Sequence, residues 1–331
     1  MGVSVTILVA TESKVLVVDS ETASVREGRG LDGHAPTFVA ADPLTAGRAW
    51  CATRRGGVLR SDDAGESWTA SGLAGEHVMT VVASPATHDL VWAGTEPSAL
   101  WRSDDGGAGW RRAPGLSDLP SSREWSFPPK PETHHVRWIA CHPADAGRLW
   151  LAIEAGALVT TPDGGRTWRD RVPGGPYDTH ELAIHPDRPA GLRVAAGDGY
   201  YESADAGASW SSPAQGLDVG YLRSVAIDPG DAQVVVVSAS SHAHRAYMAG
   251  RSDGRLHRRA GAGTWERVLD GWPREPSTIA PLLVAGSGPG RLWAADERGV
   301  HGSADGGRSW ERVAAFEPTP TYLRGLAPLG R

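Results

Sequence analysis

An eight-residue motif that returns five times, a tryptophan excess tied to it, and a repeating unit of about 45 residues predict an all-β chain folded as a single seven-bladed β-propeller. The motif S/T-x-D-x-G-x-S/T-W stands at Ser61–Trp68, Ser103–Trp110, Thr161–Trp168, Ser203–Trp210 and Ser303–Trp310, with Gly109 replacing the hydroxyl residue of the second copy. A sixth segment keeps only its end, Thr264-Trp265. The chain carries 14 Trp against 3 Phe and 6 Tyr, the reverse of common usage, so one large ring fills a repeated structural slot.

The elements follow in order within each unit as four short strands, A to D. Strand A is an apolar run closing near a proline: Thr37–Pro43, Val78–Pro85, Val136–Pro143, Glu181–Pro186 and Leu222–Pro229. Strand B is exemplified by Arg148–Ile153 and Arg291–Ala295, and strand C by Ala157–Thr160. The motif is the C-to-D turn. Its Asp accepts backbone N–H groups, its Gly permits positive φ, and its Trp buries a ring between neighbouring sheets. These aspartates read as hairpin staples, because chemistry needs one site and this device recurs. Ten Trp fall at repeat slots: Trp68, Trp110, Trp168, Trp210, Trp265 and Trp310 on strand D, and Trp50, Trp92, Trp150 and Trp293 on strand B.

The units span about 37–70, 77–112, 135–171, 179–212, 221–268 and 279–313. The termini supply the seventh: 3–10, 15–19 and 24–28 read as strands B, C and D, and 322–328 as strand A. Tyr322-Leu-Arg-Gly-Leu-Ala repeats the pattern of Tyr221-Leu-Arg-Ser-Val-Ala. The expectation is one domain over 1–331 with four-stranded blades, closed by N- and C-terminal strands that share a blade and so remove free edges.

Composition narrows the function. At 40% hydrophobic and 22% charged residues, the chain has material for a core. A net charge of −6 argues against a nucleic-acid or anionic-membrane partner recruited by bulk charge. No apolar run approaches the roughly 18 residues of a membrane span, and the first residues lack a signal-peptide pattern. Cys51 and Cys141 cannot build a disulfide framework. The expected setting is the cytoplasm.

The motif turns mark one face, so a ligand site is expected at the opposite mouth, where D-to-A and B-to-C loops emerge. Aligning the A strands on their prolines puts His34, His77, His134, His135 and His180 at the start of consecutive blades, with Asp178 close by. One register carries Arg137, His180, Arg223 and Arg324, and Tyr221 and Tyr322 lie two residues before the last two arginines, on the same side of the strand. Two insertions fall on this face: 113–134, with Trp125, and 240–253, with His242, His244 and Tyr247.

Arg137, Arg223 and Arg324 are expected to clamp a carboxylate, sulfate or phosphate. Tyr221, Tyr322, Trp125, His242 and His244 would complete the ligand pocket, with Trp125 and Tyr247 covering it. His180, His135, Asp178 and Glu154 are the candidate acid–base groups. His34, His77, His134, His135 and His180 are the candidate ligands of a divalent transition metal. The ligand is expected to be a small polar or anionic molecule, and the chemistry that of a lyase or hydrolase. His142 and His185 occupy the turn slot that Asp42 and Asp228 hold in other units and read as structural.

Over the whole chain the motif resembles the Asp-box, or BNR, repeat of sialidase-like propellers. That resemblance implies the fold. Arg137, Arg223 and Arg324 imitate the arginine triad of sialidases, but those enzymes have six blades and an Arg-Ile-Pro motif that this chain lacks. Xyloglucan-cleaving enzymes resemble it in blade type and bind substrate between two tandem propellers. Photosystem II assembly factors are similar single seven-bladed propellers that bind proteins, so the alternative expectation is a non-catalytic interaction or assembly-factor propeller with a protein partner. There is no G-x-S-x-G elbow, Walker loop or dinucleotide fingerprint in a βαβ context.

Overall fold

The computed structural model describes residues 4–272 and 278–330. Within them lie seven antiparallel sheets arranged as the blades of a propeller, and almost no helix. The A strands of blades 1 to 7 are Pro36–Ala41, His77–Ala83, Val136–Cys141, Thr179–His185, Tyr221–Asp228, Leu282–Ala285 and Leu323–Leu329. Five sheets have four strands. In blades 3 and 4 the fourth position is held by the isolated bridges Thr160–Arg169 and Glu202–Ser211. Blade 7 joins the chain ends in the order Leu323–Leu329, Thr6–Thr11, Val15–Asp19, Val25–Glu27. Val3, the expected start of its B strand, lies outside the described residues.

The core is a ring of layers between successive sheets. Trp50 of blade 1 packs with Val78, Val81 and Val91 of blade 2. Trp92 of blade 2 repeats this against Val136, Ile139 and Leu151 of blade 3. Trp150 of blade 3 meets Leu182, Leu192 and Val194 of blade 4, and Trp293 of blade 6 meets Ile7, Val9 and Leu326 across the closure. The B-strand tryptophans thus fill inter-blade gaps too wide for an aliphatic side chain.

The motif turns share one hydrogen-bond plan. Asp63 Oδ1 accepts from Ser67 N at 2.9 Å and Ser61 Oγ at 2.8 Å, while Ser61 Oγ accepts from Gly65 N at 2.9 Å. Asp105, Asp163, Asp205 and Asp305 accept the equivalent N–H of Gly109, Thr167, Ser209 and Ser309. Two successive residues are left-handed in each turn, as in Gly106 (φ 69°) and Gly107 (φ 93°), which is why glycine recurs there. His142 and His185 likewise act as turn staples: their Nδ1 atoms accept from Ala144 N at 3.1 Å and Asp187 N at 3.2 Å, as Asp228 Oδ1 does from Gly230 N at 2.8 Å.

The inner strands carry the feature that builds the site. Near the start of strand A the ladder skips one residue in six blades, leaving Thr37, Met79, Arg137, His180, Arg223 and Arg324 as bulged positions. A bulge twists the strand and re-aims its side chain. Carbonyls beside these bulges accept from the neighbouring blade: Thr37 Oγ1 donates to Val78 O at 2.6 Å, and His180 Nδ1 lies 2.5 Å from Leu222 O. The bulged residues therefore tie neighbouring blades together around the channel.

Candidate functional site

A cavity of about 480 Å³ opens at the mouth formed by B-to-C turns and D-to-A loops. The bulged Arg137 and Arg324 line it, as do His135 just before strand A of blade 3, Tyr221 at the start of strand A of blade 5, and the turn residues Arg54 and Glu154. Both insertions reach it, the first through Phe127 to Lys130 and the second through the short helix Ala243–Tyr247 and Met248. None of the five motif aspartates lines it.

One side is a hydrogen-bonded acid–base cluster. Glu154 Oε2 lies 2.6 Å from His135 Nε2 and 3.7 Å from Arg137 Nε. Its Oε1 lies 3.9 Å from His180 Nε2, which is also 3.6 Å from Asp178 Oδ2. Asp178 is held by Ala155 N at 3.0 Å. Gly197 makes room for that carboxylate, since a Cβ there would come within 2.0 Å of Asp178 Oδ2. Burial opposes the ionisation of Glu154, but Arg137, the His135 hydrogen bond and His180 hold its carboxyl down at about 2.

Hydrogen-bond directions set the proton positions. Leu222 O can only accept, so His180 Nδ1 carries a proton. Tyr221 donates its hydroxyl proton to the Tyr247 oxygen at 3.3 Å, leaving its lone pair facing His180 Nε2 at 3.3 Å. Nε2 faces the Tyr221 oxygen, Asp178 Oδ2 and Glu154 Oε1, a setting that favours the imidazolium. Burial pushes its pKa down, yet the charge of Tyr247, the Asp178 hydrogen bond and Glu154 raise it to about 9.

The other side is cationic. No carboxylate lies within ion-pairing distance of Arg54 or Arg324 among the described residues, and the buried Arg324 Nε has no hydrogen-bond partner there. Arg324 stacks over Tyr322 at 5.2 Å. Burial, Arg54 and Arg137 all disfavour its charge and depress its pKa, which is the state a bound anion relieves.

Several expected site residues stand elsewhere. Arg223 is 2% exposed and does not line the cavity. Its guanidinium donates to Ala280 O at 2.7 Å and Leu323 O at 2.6 Å, so it joins blades 5, 6 and 7 instead of holding a ligand. Trp125 does not cover the pocket. It is buried in the blade 2–3 core and donates to Ser121 Oγ at 3.0 Å.

His34, His77 and His134 lie outside the cavity lining. His134 Nδ1 accepts from Ser98 N at 3.4 Å, and His77 Nδ1 lies 3.9 Å from Glu96 Oε2. The five histidines expected to share a metal do not converge. Among the described residues, the one group of three or more His, Cys, Asp and Glu side chains with donor atoms within 4.8 Å is Glu154, Asp178 and His180. There Glu154 Oε2 faces His135 Nε2 at 2.6 Å, while Glu154 Oε1 and Asp178 Oδ2 lie 3.9 and 3.6 Å from His180 Nε2. His242 is exposed and caps the short helix, its Nδ1 accepting from His244 N at 3.2 Å, whereas His244 lines the cavity. Tyr221, Tyr322, His135, Asp178 and Glu154 all line it.

The sequence reading missed Arg54 and Glu96. A signal for them exists: the residue ending or following strand B is Glu12, Arg54, Glu96, Glu154 and Glu297 in five blades. Of that second ring the sequence reading named only Glu154.

No protein-family model and no curated protein matches the chain. Solved structures do. The GH74 enzyme of Niastella koreensis superposes with a TM-score of 0.70 at 16% identity, covering 92% of this chain and 52% of that one. The GH74 xyloglucanase from Xanthomonas campestris gives 0.69 at 16%, covering 98% and 52%. The chain thus spans about half the length of these enzymes. YCF48 from Cyanidioschyzon merolae gives 0.58 at 17% identity and covers 84% of each chain, and YCF48 has also been solved bound to a D1 peptide. At these identities the likeness establishes the propeller fold and leaves activity to the site.

Proposed function

We propose that the protein is a lyase acting on a small, hydroxyl-rich carboxylate such as a uronic-acid oligosaccharide. One observation carries the reading: a single cavity sets guanidiniums without carboxylate partners, Arg54 and Arg324, opposite Tyr247 and Tyr221, which are hydrogen-bonded to each other, Tyr221 also to His180, with Glu154 3.9 Å from His180 Nε2. The guanidiniums suit a carboxylate and the charge that develops when the neighbouring carbon loses a proton. The cluster suits the proton transfer itself.

Hydrolysis fits less well. A glycosidase needs a carboxylic acid kept protonated beside the scissile bond. Glu154 is held ionised, and Glu181, whose carboxyl burial pushes up to about 8, does not line the cavity. Cys51 and Cys141 are both free, which fits the cytoplasm as the proposed setting. We also propose that the recurrent turns are Asp boxes, on their shared sequence and hydrogen-bond plan.

A second reading, a protein-binding propeller, draws on the exposed Met248 beside Phe127 and Pro128 at the rim and on neighbours such as peptide-bound YCF48. One experiment separates the two. Glucuronate, galacturonate and mannuronate oligomers are incubated with wild-type protein and with the Arg54→Ala/Arg324→Ala variant, following the ultraviolet absorbance of an unsaturated product and the shift in Tm. Product and stabilisation with wild type alone support the lyase. A panel that neither stabilises nor reacts sinks it in favour of the protein-binding propeller.

A further inference from the structure

We propose that Tyr247, delivered by the inserted helix Ala243–Tyr247, is the proton-abstracting catalytic residue of this cavity, with Tyr221 and His180 as its positioning residues. The proposal rests on the lyase reading above and adds the base that the reading requires.

The placement is built from four blades. Tyr247 lines the cavity from the blade 5 insertion. The guanidinium of Arg223 lies over its ring, 4.5 Å from the centroid. That guanidinium is itself fixed by two backbone carbonyls of blades 6 and 7. Tyr221 donates to the Tyr247 oxygen at 3.3 Å and faces His180 Nε2 at 3.3 Å, and His180 is anchored through Nδ1 to Leu222 O. His180 thus donates through Nδ1 to the Leu222 carbonyl and presents Nε2 to Tyr221, whose hydroxyl faces the Tyr247 oxygen. An oxygen that receives a hydrogen bond from a tyrosine, itself held by an imidazolium, is stabilised as a phenolate.

The charged neighbours agree. Burial pushes the Tyr247 phenol up, but His180, Arg137 and Arg223 outweigh both that and the opposing Glu154, and hold it below its ordinary value. Tyr221, by contrast, is pushed up by burial and by the charges of Tyr247, Glu154 and Asp178. The two phenols thus divide their roles, one keeping its proton as a donor and the other giving it up.

In the reaction the Tyr247 phenolate takes the proton from the carbon next to the substrate carboxylate. The C–H electron pair becomes the new C=C bond, while Arg54 and Arg324 neutralise the carboxylate that shares the developing charge. The bond from the β-carbon to its oxygen breaks with the pair going to oxygen, and that oxygen takes the proton from the Tyr247 hydroxyl. The phenolate is restored, and no further reactant is consumed.

The test is an ultraviolet titration of tyrosine ionisation on the full chain without substrate, so it stands or falls independently of the uronate panel. With only six tyrosines, single ionisations are resolvable. Wild type is expected to show one tyrosine ionising below the ordinary phenol value of about 10. That step is expected to vanish in Tyr247→Phe and to move upward in Tyr221→Phe and His180→Gln, with thermal melts verifying that each variant folds. The proposal is overturned if wild type shows no early ionisation, or if the same step persists in Tyr247→Phe.

Discussion

His180 Nδ1 lies 2.5 Å from the carbonyl of Leu222, so an imidazole rooted in blade 4 is anchored by the backbone of blade 5. His180 is the bulged residue of its strand, and Leu222 directly precedes the bulged Arg223. The folded pKa of about 9 stands above the ordinary 6.5, so the native state holds a proton that the unfolded chain loses between those values. The stabilisation is full below pH 6.5 and is lost as pH rises through about 9. His180→Gln is expected to flatten the alkaline arm of a stability–pH curve and to cost roughly 1–3 kcal/mol at pH 6. Urea midpoints across pH 6–10 check it.

Glu154 sets the acidic arm. Its carboxyl falls from the ordinary 4.5 to about 2 on folding, so its contribution is present above pH 4.5 and disappears as pH drops toward 2. Glu154→Gln should remove that slope and, by leaving the Arg137 guanidinium without its carboxylate, cost roughly 3 kcal/mol at neutral pH. Acid unfolding of both proteins, followed by Trp fluorescence, decides it.

Glu181 carries the opposite sign. It is buried, accepts from Ser224 Oγ at 2.5 Å, and has its carboxyl raised from 4.5 to about 8. Below pH 4.5 the neutral form suits both states; between 4.5 and about 8 only the unfolded chain ionises, and stability declines. The neutral Glu181→Gln should leave stability at pH 4 nearly unchanged and raise it by about 1 kcal/mol or more at pH 8. Equal Tm shifts at both values would contradict this.

Arg223 and Arg54 should separate structure from binding. Arg223→Ala loses two charged hydrogen bonds to carbonyls of blades 6 and 7 and is expected to cost roughly 2–4 kcal/mol. Arg54→Ala, at an exposed turn, should stay within about 0.5 kcal/mol of wild type and still lose its Tm response to uronates. Paired melts with and without galacturonate oligomers distinguish the two.

Two tryptophans of the repeat differ in burial. Trp92 is fully buried between blades 2 and 3, and Trp92→Ala should cost about 3–5 kcal/mol. Trp168 is only partly buried and donates its indole N–H to Pro114 O at 2.8 Å, so Trp168→Ala should cost about half as much. Denaturant unfolding of both variants measures the ratio.

Residue patterns carried the architecture unaided because each blade writes its own copy of the same local instructions. The five motif turns, the proline-closed inner strands and the Tyr-Leu-Arg string shared by 221–223 and 322–324 all depend on near neighbours and strand period. The register of Arg137, His180, Arg223 and Arg324 was legible on the same ground. Which of them meets a ligand was not. Arg223 is withdrawn by carbonyls 57 and 100 residues away, and Arg54 enters from a different ring.

Local chemistry, then, was enough to specify strands, turns, blade number and the sharing of a blade by both ends. The closing of the ring decided the rest. It chose which bulged side chains face the cavity, sent Trp125 into the core, and brought Tyr221 and Tyr247 together beside His180. Those partners come from separate blades or from an insertion, and hydrogen bonds between distant segments leave no periodic trace in a linear chain.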